Sequence, residues 1–286
     1  MCISRKEGVM MRAINPFTDF GFKKIFGEEG SKEILMSFLS AVLQRDDDIV
    51  ELTFQDKEKY GDKYRDRKVI YDIYCTDCKG NKFIVEMQNA KQLYFKDRTI
   101  FYSTFPIREQ AQKGDWNFKL QPVYCIGLLG FDMQKKGDKY YYEAKLKDQD
   151  NEIFYDKLTF IYLELPKFKL KVDELQTNVE KWVYFLKHLE DFNELPRVLN
   201  EPIFRKAFER AQEINLTAQE RDAYEESLKI YRDNINVIDT AREEGKEQGR
   251  EEEKRAIAKA LLDVLDDETI AMKTGLSKEE VAQLRE

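Results

Sequence analysis

The chain has 286 residues, a formal net charge of −7, 36% charged residues and 13% aromatic residues. This composition is typical of a folded globular protein, and the length fits one large domain with an appendage or two domains. No apolar run approaches the roughly 18–20 residues of a membrane span, and the N-terminus lacks a signal-peptide hydrophobic region. We therefore expect a cytoplasmic protein that does not associate with membranes.

The histidine and cysteine content restricts the catalytic chemistry. His188 is the only histidine, and mechanisms of the Ser-His-Asp or Cys-His type would have to use it, although its amphipathic surroundings favour a packing or surface role. Cys75 and Cys78 form a C-x-x-C pair, but a structural zinc site needs four ligands and no second pair or histidine cluster accompanies it. Carboxylate and metal chemistry is what this composition leaves open.

Two helices are predicted near the N-terminus. Thr18 or Asp19 can cap a short helix that Gly27 ends. Ser31 can cap a second helix that continues through Gln44, with an apolar stripe at helical spacing.

The most informative segment is a predicted β-hairpin with acidic residues where apolar residues are expected. Residues 69–75 are predicted to form one strand and residues 82–88 its partner. Asp72 interrupts the first strand, and Glu86 and Gln88 interrupt the second. A carboxylate buried in a sheet costs several kcal/mol unless something compensates, and a divalent cation is one such compensation.

Strand geometry tells which of these side chains can meet. Glu86 and Gln88 share one face of the strand, about 6.6 Å apart along it. If Asp72 faces the same side, two carboxylates converge beside a polar amide. The turn leaves the register open by a residue or two, and a one-residue slip would put Asp72 on the wrong face. Ordinary pairing of each acid with a Lys or Arg from elsewhere is the alternative explanation.

Basic residues crowd the segment before the hairpin. Because acidic residues are interspersed, the segment is either a solvated loop or a local phosphate-contacting rim, whose reach is limited by screening beyond about 8–10 Å. The basic residues are Lys57, Lys59, Lys63, Arg65, Arg67 and Lys68.

Further strands and a helix are predicted around the hairpin. Residues 49–55 alternate like a strand, and residues 91–113 predict a helix that Pro106 kinks or locally breaks. The near-continuous apolar runs at 120–131 and 158–165 predict buried strands. The order of elements indicates a mixed α/β layer architecture.

Helices are predicted from about residue 173 onward. The segment 242–253 is charged on all faces and contains Gly245 and Gly249, each of which costs about 1 kcal/mol relative to Ala in a helix, so we expect a solvated, bendable connector. The last 30 or so residues predict two short helices in a helix-turn-helix pattern. Basic side chains are few there, so DNA binding and homo-oligomer formation through this region both stay open.

Four parts of the chain resemble the PD-(D/E)xK nuclease superfamily and, more narrowly, the Rpn-type recombination-promoting nucleases, also described as putative transposases. They are the segment TDFGFKKIFG at 18–27, Asp72 in its strand, VEMQ at 85–88, and the stretch from Arg98 to Val123. The resemblance implies a restriction-endonuclease-like α-β-β-β-α-β core with a mixed sheet and an all-helical C-terminal region. We expect the core at 11–170, a helical extension at 171–241, and a charged connector with a helix-turn-helix-like tail at 242–286.

The resemblance also implies a function. It predicts a metal-dependent DNA endonuclease associated with recombination or mobile elements. Asp72 and Glu86 would be the metal-binding carboxylates, with the backbone carbonyl of Met87 as a further ligand. The cofactor would be Mg²⁺, with Mn²⁺ as a substitute.

One position departs from the superfamily pattern. Gln88 stands where the superfamily usually has a lysine, and a neutral amide can orient a water molecule but cannot supply positive charge. Asp19 and Lys23 are additional site candidates. A role of Asp19 as a helix cap and of Lys23 as an ordinary surface lysine would explain these residues equally well. The alternative function is therefore a catalytically inactive nuclease-fold module that binds nucleic acid or a protein partner.

Overall fold

The computed structural model describes residues 12–44, 49–59, 69–133 and 137–285. The chain divides into two compact units, one that ends at Tyr231 and one that begins at Arg232. None of the helices in the described part of the chain has the length and apolar character needed to cross a bilayer.

A six-stranded mixed sheet forms the centre of the first unit. Its strand order is β1-β4-β5-β6-β8-β7, with β5, β6 and β8 parallel and the other pairs antiparallel. The strands are β1 Leu52–Phe54, β4 Ile73–Asp77, β5 Lys82–Gln88, β6 Val123–Leu129, β7 Tyr141–Lys147 and β8 Ile153–Glu164. All residues of β6 are buried, because a strand between two parallel neighbours is covered on both faces.

Helices cover both faces of this sheet. The face that carries Phe83 and Val85 packs against α1, α2, α4, α5 and the start of α6, and the face that carries Ile84 packs against α3. The helices are α1 Asp19–Phe26, α2 Lys32–Leu43, α3 Phe95–Arg108, α4 Asn178–His188, α5 Pro202–Arg210 and α6 Ala218–Leu261. Residues 171–231 therefore share one core with the sheet. The division into a core, a helical extension and a C-terminal tail stays a prediction.

The N-terminal helices begin and end close to the predicted positions. The Thr18 Oγ1 accepts a hydrogen bond from the Gly21 N–H at 2.9 Å and caps α1, and Gly27 follows its last residue. Ser31 stands at the N-terminus of α2, but its hydroxyl donates to the Lys24 carbonyl instead of capping the helix.

Two predictions for individual elements need correction, and one strand was missed. The strand predicted at 69–75 is two strands, because residues 69–70 form β3 and pair with β2, Glu58–Lys59, in a separate small sheet. The helix predicted at 91–113 spans only Phe95–Arg108 and ends within one turn of Pro106, whose missing N–H weakens the helix. Strand β7 was not predicted.

The second unit is a small helical hairpin with its own core. Helix α6 ends in it, followed by α7 Asp267–Thr274 and α8 Lys278–Gln283. Its buried apolar residues are Ala258, Ile270, Leu276 and Val281. Helix α6 is continuous through Gly245 and Gly249, so the cost of these glycines does not interrupt it.

We predict that Trp182→Ala lowers the free energy of unfolding by about 3–5 kcal/mol. The Trp182 side chain is 1% exposed, and its ring lies 4.6 Å from Phe204 and 5.9 Å from both Phe26 and Phe38. Urea denaturation measures the change. Trp116→Ala is the matched control, because Trp116 packs on the exposed Phe118, and an equal loss in both variants would contradict this account of the core.

Candidate functional site

The bend at Asp72 places this acid at the entrance of β4. The Tyr71 N–H donates to the Lys57 carbonyl at 3.0 Å, which keeps the backbone before Asp72 paired with the small β2–β3 sheet. The chain joins the main sheet at Ile73, opposite Val85 of β5. Asp72 therefore lies one position before regular pairing begins, where its own backbone N–H has no strand partner.

Asp72 and Glu86 meet across this end of the hairpin. The register that pairs Ile73 with Val85 puts Asp72 opposite Glu86. The Asp72 N–H donates to Glu86 Oε1 at 3.2 Å, and the Met87 N–H donates to Asp72 Oδ2 at 2.8 Å. The two side chains thus replace the backbone hydrogen bonds of the ladder where the two strands separate. Of the registers that the sequence allowed, the structure has the one that brings the two acids together.

The electrostatic environment disfavours charge on both acids. Glu86 is 8% exposed, and burial, followed by the nearby Asp72 carboxylate, raises its pKa above the ordinary value. Burial also raises the pKa of Asp72, although the hydrogen bond from the Met87 N–H opposes this. Two adjacent carboxylates, one buried and one half-buried, are unfavourable when both are ionised, so a bound cation would stabilise the ionised pair.

The Glu86 side chain faces a cleft between the sheet and α3. Gln88 lines the same cleft, as the two-residue period of the strand predicts. Met87 faces the opposite side and packs against the main core. Because the N–H and C=O of one strand residue point to the same neighbour, the Met87 carbonyl points toward the edge where Asp72 lies.

Arg98 of α3 reaches Glu86 from across the cleft. Its Nη2 lies 3.4 Å from Glu86 Oε2, and its Nη1 donates to Gln92 Oε1 at 2.7 Å. The guanidinium also lies 5.0 Å from the centre of the Tyr102 ring. Arg98 was not among the site residues predicted from the sequence. The available signal was its place at helical spacing between Phe95 and Tyr102, on the stripe of α3 that faces the sheet.

Asp19 and Lys23 lie on the exposed side of α1 and pair with each other, with Lys23 Nζ 2.7 Å from Asp19 Oδ1. Neither side chain forms a hydrogen bond or an ion pair with the two acids, but both charges affect Asp72. Burial raises the pKa of Asp72, the charge of Asp19 raises it further, and the charge of Lys23 lowers it. A hydrogen bond of 2.7 Å from Asn89 Nδ2 to the Phe17 carbonyl joins the end of β5 to the start of α1.

The basic segment before the hairpin is described only in part. Burial lowers the pKa of Lys57, the charge of Lys23 lowers it further, and the charge of Asp72 raises it, so Lys57 shares the electrostatic environment of the acids. The other predicted rim positions, at 63, 65, 67 and 68 and the side chain of Lys59, lie outside the described residues.

The donors at the hairpin fit a hard divalent cation. Mg²⁺ takes oxygen ligands, keeps several waters and needs only one or two carboxylates, and Asp72, Glu86 and the Met87 carbonyl offer such oxygens. Among the described residues, no three or more His, Cys, Asp or Glu side chains form a group that could hold a metal. The chemistry of this donor set therefore suits a hydrated Mg²⁺ or Mn²⁺ better than a fully protein-ligated ion.

The histidine and the C-x-x-C pair lie apart from this cleft. His188 ends α4, with its Nδ1 3.4 Å from Asp191 Oδ2 and its ring against Tyr184. Cys75 is buried in β4, whereas Cys78 is exposed in the turn that follows.

A model of the PD-(D/E)XK nuclease family transposases matches residues 16–241. The chain belongs to this family. The match and the mixed six-stranded sheet with helical C-terminal region confirm the predicted relationship and fold class, while the narrower Rpn-type assignment stays a prediction. No curated protein and no solved structure is significantly similar to the chain.

The raised pKa of the buried Glu86 side chain has a testable consequence for stability. An acid whose pKa is raised on folding ionises first in the unfolded chain, so wild-type stability falls as pH rises above the ordinary glutamate value of 4.5. Glu86→Gln removes this loss. We predict that the metal-free variant is about 1–3 kcal/mol more stable than wild type at pH 8 and nearly equal to it at pH 4.

Urea denaturation in EDTA at the two pH values measures this difference. Asp97→Asn serves as the control, because Asp97 is an exposed acid on α3. A Glu86→Gln variant that is less stable than wild type at pH 8 would show that the bonds from Asp72 and Arg98 outweigh the cost of burying the charge.

Proposed function

We propose that this protein is a metal-dependent DNA endonuclease associated with recombination or mobile elements. One observation carries the proposal: two carboxylates at the end of adjacent strands meet beside an open cleft, where the backbone N–H of Asp72 donates to Glu86 Oε1 at 3.2 Å. The family, described as a nuclease family of transposases, supports phosphodiester chemistry at this pair.

The proposed metal ligands are the carboxylates of Asp72 and Glu86 and the backbone carbonyl of Met87. A bound Mg²⁺ would lower the pKa of a coordinated water and offset negative charge on the phosphate. The protein's own contribution is rigidity, because both acids are fixed by backbone hydrogen bonds of the sheet. Fixed ligands need little reorganisation during the reaction.

Gln88 is proposed to orient the attacking water. Its amide lines the cleft beside Glu86 and can accept a hydrogen bond from the water through its oxygen or donate one through its nitrogen. The water oxygen forms a bond to phosphorus, the bond from phosphorus to the leaving sugar oxygen breaks, the water gives up a proton and the leaving oxygen takes one up. Asp19 and Lys23 would act from α1, through their charges at Asp72.

DNA is the proposed substrate despite the net charge of −7. Burial raises the pKa of Asp72, whereas the charges of Lys23 and Arg98 lower it, and the charge of Asp72 in turn acts on Lys57. Contacts between such basic side chains and phosphate act over short distances in physiological salt. Local basic side chains can therefore hold a DNA backbone at the cleft of an acidic protein.

We predict that the purified protein nicks plasmid DNA with Mg²⁺ or Mn²⁺ and not in EDTA. Asp72→Asn and Glu86→Gln should each lower the cleavage rate at least about 100-fold, because each removes a charged ligand of the cation. Agarose gels of supercoiled plasmid measure the rates. Asp97→Asn is the matched control and should cleave like wild type, whereas equal cleavage by all four proteins would refute the assignment of the site.

We also predict that Mg²⁺ binding releases protons. Because the pKa of Glu86 and that of Asp72 are raised by burial, the metal must displace protons held by the free site, and its affinity should rise with pH. Calorimetric titrations in two buffers with different ionisation enthalpies measure the protons released.

The same titration distinguishes the alternative function. Gln88 stands where the wider superfamily usually has a lysine, and this difference is the observation that favours a catalytically inactive module. Absence of Mg²⁺ and Mn²⁺ binding at millimolar concentrations would support such a module and contradict the endonuclease.

A further inference from the structure

The proposed reaction lacks one component that Gln88 cannot supply. Negative charge grows on the phosphate during hydrolysis, and positively charged donors aimed at that charge are a large source of rate acceleration. Gln88 is neutral. A positive charge close to the acid pair must therefore come from another element, and α3 brings one across the cleft.

Arg98 is held in the cleft by three different partners. Gln92 Oε1 accepts from Nη1 at 2.7 Å, the Tyr102 ring lies under the guanidinium at 5.0 Å, and Glu86 Oε2 lies 3.4 Å from Nη2. The contact with Glu86 is the long one, near the limit for a hydrogen bond. Loss of that contact would leave the guanidinium positioned by Gln92 and Tyr102, with Nη2 free to donate to another acceptor.

We propose that Arg98 donates from Nη2 to a nonbridging oxygen of the scissile phosphate and supplies the positive charge that Gln88 lacks. The proposal rests on the endonuclease function proposed above. In the metal-free protein Arg98 partly compensates the buried Glu86 carboxylate. When Glu86 serves as a metal ligand, the same donor faces the substrate position in the cleft.

The chemistry of the side chain suits this role. A guanidinium stays charged at any physiological pH and matches the geometry of phosphate oxygens. Stacking on an aromatic ring is a common way to hold it in place. Arg98 is also 28% exposed at its side chain, so its outer nitrogens are open to a ligand that enters the cleft.

A purely structural role for Arg98 makes a different prediction. If Arg98 only held Glu86 in its rotamer, its removal would weaken metal binding and cleavage together. If Arg98 competes with the metal for Glu86 and then contacts the phosphate, its removal strengthens metal binding and slows cleavage. The two measurements therefore change in opposite directions under the proposal.

The experiment compares wild type, Arg98→Gln, Arg98→Lys and Arg108→Ala. Arg108 is the charge-matched control on the same helix, about 15 Å further along it. We expect Arg98→Gln to cleave plasmid about 100-fold more slowly at saturating Mg²⁺, and to bind Mg²⁺ without DNA up to about 10-fold more tightly in calorimetry. Arg98→Lys should recover part of the rate, and Arg108→Ala should match wild type in both measurements.

Each outcome decides the proposal. Unchanged cleavage by Arg98→Gln, or a joint loss of cleavage and Mg²⁺ affinity, would overturn it. Failure of the endonuclease function itself is a separate result, in which wild type does not cleave under any condition. Circular dichroism melting of every variant identifies those that do not fold. If Arg98→Gln does not fold, cleavage and Mg²⁺ affinity are compared between wild type and Arg98→Lys, which keeps the positive charge and the aliphatic part of the side chain.

Discussion

The site depends on one unfavourable interaction, between the buried carboxylate of Glu86 and the half-buried carboxylate of Asp72 directly opposite it at the end of a β-hairpin. Asp72 and Glu86 lie one position beyond the last regular pair, Ile73 with Val85. Each accepts a backbone hydrogen bond from the other strand, which fixes their geometry but does not remove the cost of desolvating two like charges. A bound divalent cation would offset that cost, and carboxylate oxygens are ligands of the kind that such a cation prefers.

The surrounding strands and helices fix the positions of the two acids. The central strand β6 is buried along its whole length and anchors β5 through the register that sets Glu86 opposite Gly127. Helix α3 closes the cleft on one face of the sheet and carries Arg98, while the bond from Asn89 to Phe17 joins the start of α1 to the end of β5 that carries Glu86. The position of Glu86 is thus set by the central strands of the first unit, and the charged groups around the acids come from helices and loops at the edge of the sheet.

The central strands β5 and β6 and the acid in β5 could be predicted from the sequence because local patterns determine them. The strand at 82–88 and the buried run in β6 follow from periodicity and apolar content alone. The break at Asp72 could not be predicted, because it depends on a backbone bond from Tyr71 to Lys57, which is a nonlocal pairing. Arg98 was missed for a related reason: a charged helical residue is assigned to the surface unless tertiary packing shows that its side of the helix faces the sheet.

The central claim is that Asp72 and Glu86 share one divalent cation. The most direct test is a crystal structure of the protein soaked in Mn²⁺, with anomalous difference maps at a wavelength where manganese scatters strongly. The account predicts a single anomalous peak in the first unit, about 2.0–2.3 Å from carboxylate oxygens of both residues. A map with Mn²⁺ bound elsewhere, or with the two acids still joined only to the protein at millimolar metal, would contradict it.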